Sequence, residues 1–174
     1  MSALLTKSLL VMTFTILVAC AIYDVRKRII PNELSALIAV AGIALTLLIR
    51  PEAIWTSLLI ATTLLVALWV LFMRGVIGGG DAKLIAAATL LVPPDGVAAL
   101  VLMIVLAGGV LSAAYMMAFA VLRSPTPVLA VRSNNSFRRF LRNERARIVA
   151  ARSVPYGLAI AAGAMIALAN EAVR

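Results

Sequence analysis

Long apolar runs alternate with short polar stretches along the whole chain, and this pattern predicts a bundle of membrane-crossing helices. A helix needs about 20 apolar residues to cross about 30 Å of hydrocarbon. Five runs approach that length and a sixth is shorter, which gives predicted spans at 8–23, 33–49, 54–73, 81–92, 97–122 and 153–169. The sequence therefore predicts an all-α polytopic membrane protein with about six transmembrane helices in one domain, residues 1–174.

Composition leads to the same class of protein. Apolar residues make up 64% of the chain and charged residues 13%, whereas a soluble domain is about half apolar and a quarter charged. A small globule with so few charges cannot cover its surface for water. A net charge of +9 would suggest nucleic-acid binding in a soluble protein. Here the charges lie between apolar runs, so we expect no nucleic-acid partner.

The positive charges also predict the orientation in the membrane. Thirteen of the sixteen Lys and Arg residues lie in three loops, 24–32, 74–83 and 123–152. The alternate connections, around residues 50–52 and 93–95, carry little charge. By the positive-inside rule the three basic loops are cytoplasmic, and the amino terminus is outside the inner (plasma) membrane. This sidedness requires 81–92 to cross as well, although a helix of that length covers only about 18 Å.

The last basic loop, 123–152, carries eight arginines and a single acid, Glu144. Apolar residues recur there at helical spacing between the arginines, at Phe137, Phe140, Leu141, Ile148 and Val149. This pattern predicts a basic amphipathic helix on the cytoplasmic side that binds anionic lipids. The alternative interpretation is a docking surface for an acidic partner.

The residue types present limit the chemistry. The chain has no histidine and one cysteine, Cys20, which excludes Ser-His and Cys-His nucleophilic pairs, nearly all zinc sites and an intrachain disulfide. Carboxylates, lysines, hydroxyls and the backbone remain. The sequence thus predicts chemistry without a metal or a cofactor.

Two aspartates, Asp24 and Asp81, each lie at the predicted cytoplasmic end of an apolar segment. Ionisable groups at such positions are costly and often functional. Two carboxyls in close contact share one proton, so the charged one can activate a water while the protonated one protonates the leaving amine. The structural alternatives are a helix cap at Asp81 and an ion pair of Asp24 with Arg26 or Arg28.

A run of three glycines, Gly78-Gly79-Gly80, directly precedes Asp81. Glycines leave room for a substrate backbone and permit positive φ where a loop enters a helix. Since non-helical backbone at membrane depth requires protein or water around it, we expect a water-accessible cleft here. The three glycines and Lys83 are the candidate substrate-binding residues, although Lys83 also suits a lipid phosphate. Asn32 is the expected cap of the second span.

Three motifs, in order along the chain, resemble those of the type IV prepilin peptidases. They are Asp24 with Ile30-Pro31-Asn32, then Gly78-Gly79-Gly80-Asp81-Ala82-Lys83, then Val154-Pro155-Tyr156-Gly157. Tyr23-Asp24 is also similar to the Tyr-Asp of presenilin and signal peptide peptidase. The resemblance implies an intramembrane aspartyl protease that cleaves prepilin leaders at the cytoplasmic face, with Asp24 and Asp81 as the catalytic pair.

Larger members of that family also N-methylate the trimmed pilin and carry a four-cysteine zinc loop. This chain, with one cysteine and an immediate membrane span, is similar to the short form that serves tight-adherence (Flp) pili, without methyltransferase activity. The partners implied are a Flp-type prepilin, anionic lipids and the pilus assembly machinery. The competing hypotheses are a small transporter that uses the aspartates as ion sites and a non-catalytic secretion-system scaffold.

Overall fold

The computed structural model describes residues 2–122 and 154–173, and all regular secondary structure within them is helical. The α-helices there are α1 (Ser2–Lys27), α2 (Asn32–Ile49), α3 (Ile54–Met73), α4 (Gly79–Thr89), α5 (Val97–Leu122) and α6 (Tyr156–Val173). Single 3₁₀ turns at Pro51–Ala53 and Pro94–Gly96 lead into α3 and α5. The predicted amphipathic helix in 123–152 lies outside the described residues.

Four stretches in the described part are long and apolar enough to cross a membrane: Leu4–Lys27, Asn32–Ile49, Pro51–Met73 and Pro94–Ala120. They fall on α1, α2, α3 and α5, so the predicted class, an all-α polytopic membrane protein, is confirmed. At 11 residues, α4 is shorter, and α6 contributes a shorter apolar helix. Six crossings with the amino terminus outside stay a prediction.

The chain divides into two compact units, Met1–Gly108 with Pro155–Arg174, and Gly109–Val154. The first unit contains α1 to α4, the first part of α5, and α6. Of the second unit, the described part consists mainly of the rest of α5. All contacts discussed below lie within the first unit, and the single domain expected from the sequence stays a prediction.

In the first unit, α1 packs against α2 and α6, while α4 packs against α2, α3 and α6. The core consists of apolar side chains from these helices, among them Leu17, Ile38, Leu45, Leu84, Leu91 and Ile160. In contrast, α3 fully buries only Ser57 and Ala61, and most of its apolar side chains are exposed. Lipid is the environment that accepts such a helix surface.

Small residues bring pairs of helices into backbone contact, as in other membrane bundles. A Cβ placed on Gly42 of α2 would lie 2.6 Å from Leu90 Cβ, at the end of α4. Close by, Thr46 Oγ1 donates a hydrogen bond of 3.3 Å to the Leu90 carbonyl. A Cβ on Gly163 of α6 would lie 2.7 Å from Ile104 N of α5. The end of α4 is thus fixed against α2, and α6 against α5.

Charged groups from two connections and from α6 meet at the end of α2, around Arg50. Burial lowers the pKa of the Arg50 guanidinium, and the negative charges of Glu171, Asp95 and Glu52 oppose that change. We call this the Arg50 end. The beginnings of α2, α4 and α6 meet at the opposite end, described below, so α4 and α6 both run between the two ends of the first unit.

Candidate active site

Asp24 lies in the last turn of α1, where the chain leaves the helix. The Arg28 N–H donates to the Asp24 carbonyl at 2.8 Å, and Arg28 has a φ of 56°. This is the left-handed helix cap that glycine usually provides; in another residue it costs about 1–2 kcal/mol. The turn directs the chain back towards α2 and leaves the Asp24 side chain only 6% exposed.

The first turn of α6 contacts the Asp24 carboxylate directly. The backbone N–H groups of Gly157 and Leu158 donate hydrogen bonds to it, and the positive charge of Arg28 acts on it. Its Oδ2 atom is buried and finds no hydrogen-bond partner among the described residues. One side of the carboxylate is therefore held by the protein, while Oδ2 is left without a partner among the described residues.

Asp81 is the third residue of α4 and is half-buried. Gly78, not Asp81, occupies the cap position, and no side chain caps this helix. The alternative interpretation of Asp81 as the helix cap is therefore wrong. A carboxylate in a first turn is favoured by the helix dipole. Asp81 Oδ2 folds back towards Gly78, where a Cβ would lie only 2.9 Å from it.

The structure brings Asp24 and Asp81 close enough to interact through their charges. Asp81 lies outside the four membrane-spanning helices. Burial raises the pKa of Asp81 to about 6, and the negative charge of Asp24 is the second cause of this rise. Ile30 packs between the start of α4, which carries Asp81, and the first turn of α6, which contacts Asp24: a Cβ on Gly80 would lie 3.2 Å from Ile30 Cβ, and one on Gly157 2.8 Å from Ile30 Cδ1. Such a pair can hold one proton between two carboxyls.

The glycine run packs against the protein itself. A Cβ on Gly79 would lie 3.1 Å from Phe72 Cε2, and Gly80 contacts Ile30 as described, while Gly78 is exposed. The expectation of positive φ here is wrong: Gly78 has a φ of −71°, and Gly75 is the glycine with positive φ in the described chain. Small size lets α4 begin close to α3 and to the 28–31 turn. Contact of these glycines with substrate stays a prediction.

Lys83 reaches across to the start of α2, a contact that the sequence analysis missed. Its Nζ donates to Asn32 Oδ1 at 3.0 Å. Asn32 is the first residue of α2 and Pro31 occupies the cap position without a side-chain cap bond, so the predicted cap at Asn32 is wrong. The two residues are 51 positions apart, and no local pattern indicates the pairing. It ties the Asp81 helix to the segment that follows Asp24.

The described residues contain no group of three His, Cys, Asp or Glu side chains placed to hold a metal ion. Cys20 is a free, buried thiol in the apolar core. The functional groups that do meet at this end are two carboxyls, backbone N–H groups, Arg28 and Lys83. These groups suit proton transfer and the stabilisation of charge.

Fold and site together define a polytopic helical membrane protein with two aspartates paired at one end of the bundle. Residues 11–117, which include both aspartates, match the type IV leader peptidase family. The match covers more than half of the chain, so the protein belongs to this family, as the sequence motifs predicted. No curated protein and no solved structure matches the chain.

Membership of the family makes the protein a protease of the prepilin leader peptidase type. It thereby favours the protease hypothesis over the transporter and scaffold hypotheses.

Proposed function

We propose that the protein is an intramembrane aspartyl endopeptidase that removes the leader of Flp-type prepilins at the cytoplasmic membrane face, without N-methyltransferase activity. Asp24 and Asp81 are the catalytic pair. The observation that carries this proposal is their charge interaction across the helix ends, with Asp24 Oδ2 buried and without a hydrogen-bond partner among the described residues. Gly78, Gly79, Gly80 and Lys83 shape the rim of this site.

In this mechanism the ionised carboxyl takes a proton from a water molecule, and the water oxygen attacks the scissile carbonyl carbon. The protonated carboxyl donates its proton to the carbonyl oxygen as negative charge develops there. Return of that proton and transfer of the other to the amide nitrogen break the C–N bond and release the amine and the carboxylic acid. The two carboxyls end the cycle sharing one proton, as they began.

We further propose six crossings with the amino terminus outside and the aspartates at the cytoplasmic face of the inner membrane. In support, α4 connects the two ends of the first unit, and most of it is buried, including Ala82, Leu84 and Ala86 to Thr89. Because α2, α3 and α6 surround it, α4 does not need the length of a lipid-exposed helix. The basic loops 24–32 and 74–83 lie at the aspartate end.

The substrate class follows from where the pair lies. A prepilin has a basic leader followed by an apolar helix, so the helix enters the bilayer while the leader stays in the cytoplasm, and cleavage falls at the boundary. With one cysteine, the chain cannot build the four-cysteine zinc loop of the methylating members. Anionic lipids at the Arg-rich loop and the pilus assembly machinery complete the proposed partners.

The test is cleavage of a Flp-type prepilin in membranes by wild type, Asp24→Asn and Asp81→Asn. Asp95→Asn is the matched control, since Asp95 acts on Arg50 at the opposite end. Each active-site variant loses at least about 100-fold in rate, as expected for loss of an acid or a base, at equal protein levels, while Asp95→Asn stays active. Near-normal cleavage by either active-site variant would contradict the catalytic role of Asp24 and Asp81. A methylated product would contradict the proposed lack of N-methyltransferase activity.

A further inference from the structure

The segment Pro155-Tyr156-Gly157 opens α6, and its contacts give it a role in the candidate site. Pro155 and Gly157 are buried, while Tyr156 is exposed. From this turn the N–H groups of Gly157 and Leu158 donate to Asp24. Hydrogen bonds from N–H groups to a carboxylate stabilise its ionised form. Asp24 is thus held by a helix that begins more than 130 residues further along the chain.

Glycine is the residue that permits this contact. A Cβ at position 157 would lie 2.9 Å from both Cβ and Cγ of Asp24 and 2.8 Å from Ile30 Cδ1. Carbon atoms in protein interiors do not pack at such distances, so a side chain there must displace Asp24 or α6. The Asp24 Cβ is bonded to the main chain of α1 and cannot move aside alone. Alanine at 157 therefore separates the α6 N–H groups from the carboxylate.

Burial acts on both aspartates, but their polar and charged neighbours differ. Asp24 receives two backbone N–H groups and faces the positive Arg28. Asp81 experiences burial and the negative charge of Asp24, with no hydrogen-bond donor contributing. Donors and a cation favour the ionised form of a carboxyl, whereas a neighbouring anion favours the protonated form. The charged groups that act here are thus Arg28 and the two aspartates themselves.

We propose that Gly157 is a positioning residue for proteolysis. By lacking a side chain, it lets the first turn of α6 hold Asp24 as the ionised base and leaves Asp81 as the proton donor. This inference deepens the proposed function and rests on it. It assigns one chemical role to each aspartate and gives the start of α6 a part in the reaction.

The test compares Gly157→Ala with Gly163→Ala in the full chain purified in detergent, using a Flp-type prepilin. Gly163 is the matched control because it lies on the same helix, and its Cβ would meet Ile104 N at 2.7 Å, away from both aspartates. We expect Gly157→Ala to lower kcat roughly 100-fold with KM nearly unchanged, the cost of displacing a catalytic group by about 1 Å. Gly163→Ala lowers the melting temperature and leaves kcat of the folded protein near wild type.

Adding Ile30→Val separates the two contacts of position 157, because it removes Cδ1, the Ile30 atom that a Cβ there would meet. Gly157→Ala/Ile30→Val remains inactive if displacement of Asp24 is the cause. Recovery in this double variant, or kcat within about threefold of wild type in Gly157→Ala, would overturn the proposal. Inactivity of Asp24→Asn in the same assay shows that the proposed function holds even where the role of Gly157 fails.

A measurement on protein with an intact α6 tests the same assignment should Gly157→Ala not accumulate. Infrared difference spectra at about pH 5, below the pKa of about 6 of Asp81, report the protonated carboxyl of an aspartic acid. We expect that band to disappear in Asp81→Asn. If the band is lost in Asp24→Asn but remains in Asp81→Asn, the assignment of Asp81 as the proton donor is overturned.

Discussion

The pH dependence of cleavage tests the pairing of the two carboxyls quantitatively. Burial and the charge of Asp24 raise the pKa of Asp81 from 3.8 to about 6. If protonated Asp81 donates the proton, activity follows its protonated fraction, which is half at about pH 6 and about one tenth at pH 7. Raising the pH removes this proton, so the loss occurs on the alkaline side. We expect kcat/KM, which reports the pKa values of the free enzyme, to fall about tenfold per pH unit above pH 6.

The negative charge of Asp24 is the second cause of the raised pKa of Asp81. Replacing Asp24 with asparagine removes that charge and tests its contribution. In Asp24→Asn the anion is lost while the burial of Asp81, the larger cause, remains. The pKa of Asp81 therefore falls below about 6 but stays above 3.8. Carboxyl ¹³C NMR of labelled protein in nanodiscs measures this titration without requiring activity. Asp95→Asn is the control and leaves the Asp81 titration unchanged.

The same shift predicts the pH dependence of stability. The folded protein binds a proton at Asp81 more tightly than the unfolded chain does, so this contribution is greatest at low pH. It is lost as the pH rises through the window from 3.8 to about 6. The melting temperature in detergent falls across that window in wild type and changes less in Asp81→Asn. An Asp81 titration identical in wild type and Asp24→Asn would refute the reasoning, because the carboxyls would then not interact.

Two further predictions concern the contacts that hold α4 in place. Lys83→Met removes the hydrogen bond to Asn32 Oδ1 and lowers the cleavage rate severalfold, and Asn32→Ala does the same. If the effects of the two substitutions add up in the double variant, the two residues act separately and the prediction is contradicted. Gly42→Ala introduces a Cβ 2.6 Å from Leu90 Cβ and destabilises the protein by about 1–3 kcal/mol in unfolding measurements. Gly109→Ala, with nothing within 4 Å, is the control, and equal effects of the two would contradict the packing argument.

The sequence predicted helices best where an apolar run ends abruptly. The predicted spans 54–73 and 97–122 coincide with α3 (Ile54–Met73) and α5 (Val97–Leu122), since turns containing proline precede both. The end of α1 was placed too early, at residue 23, because hydropathy falls where Asp24 begins. The helix in fact continues to Lys27, because backbone hydrogen bonding continues through charged residues until the left-handed cap at Arg28.

The site was predictable where a single residue carried the signal. Asp24 and Asp81 stood out because carboxyls beside apolar helices are costly and rare. Their neighbours were not predictable, because Gly157, Ile30 and the Lys83–Asn32 pair meet only through tertiary packing, and one glycine or lysine resembles any other in sequence. Of the two properties expected of the glycine run, small size and backbone freedom, the structure uses the small size, for packing against the protein.

The arrangement of the first unit explains how the two carboxyls keep their positions relative to each other although α4 and α6 are short. Asp24 and Asp81 lie at helix ends, where a shift of about 1 Å costs about 100-fold in rate. The short α4 is fixed near its start by the Lys83–Asn32 bond and at its end by Thr46 on Leu90. The start of α6 holds Asp24 while Glu171, near its end, acts on Arg50. Each of the two helices that complete the pair, α4 and α6, is thus held at both ends.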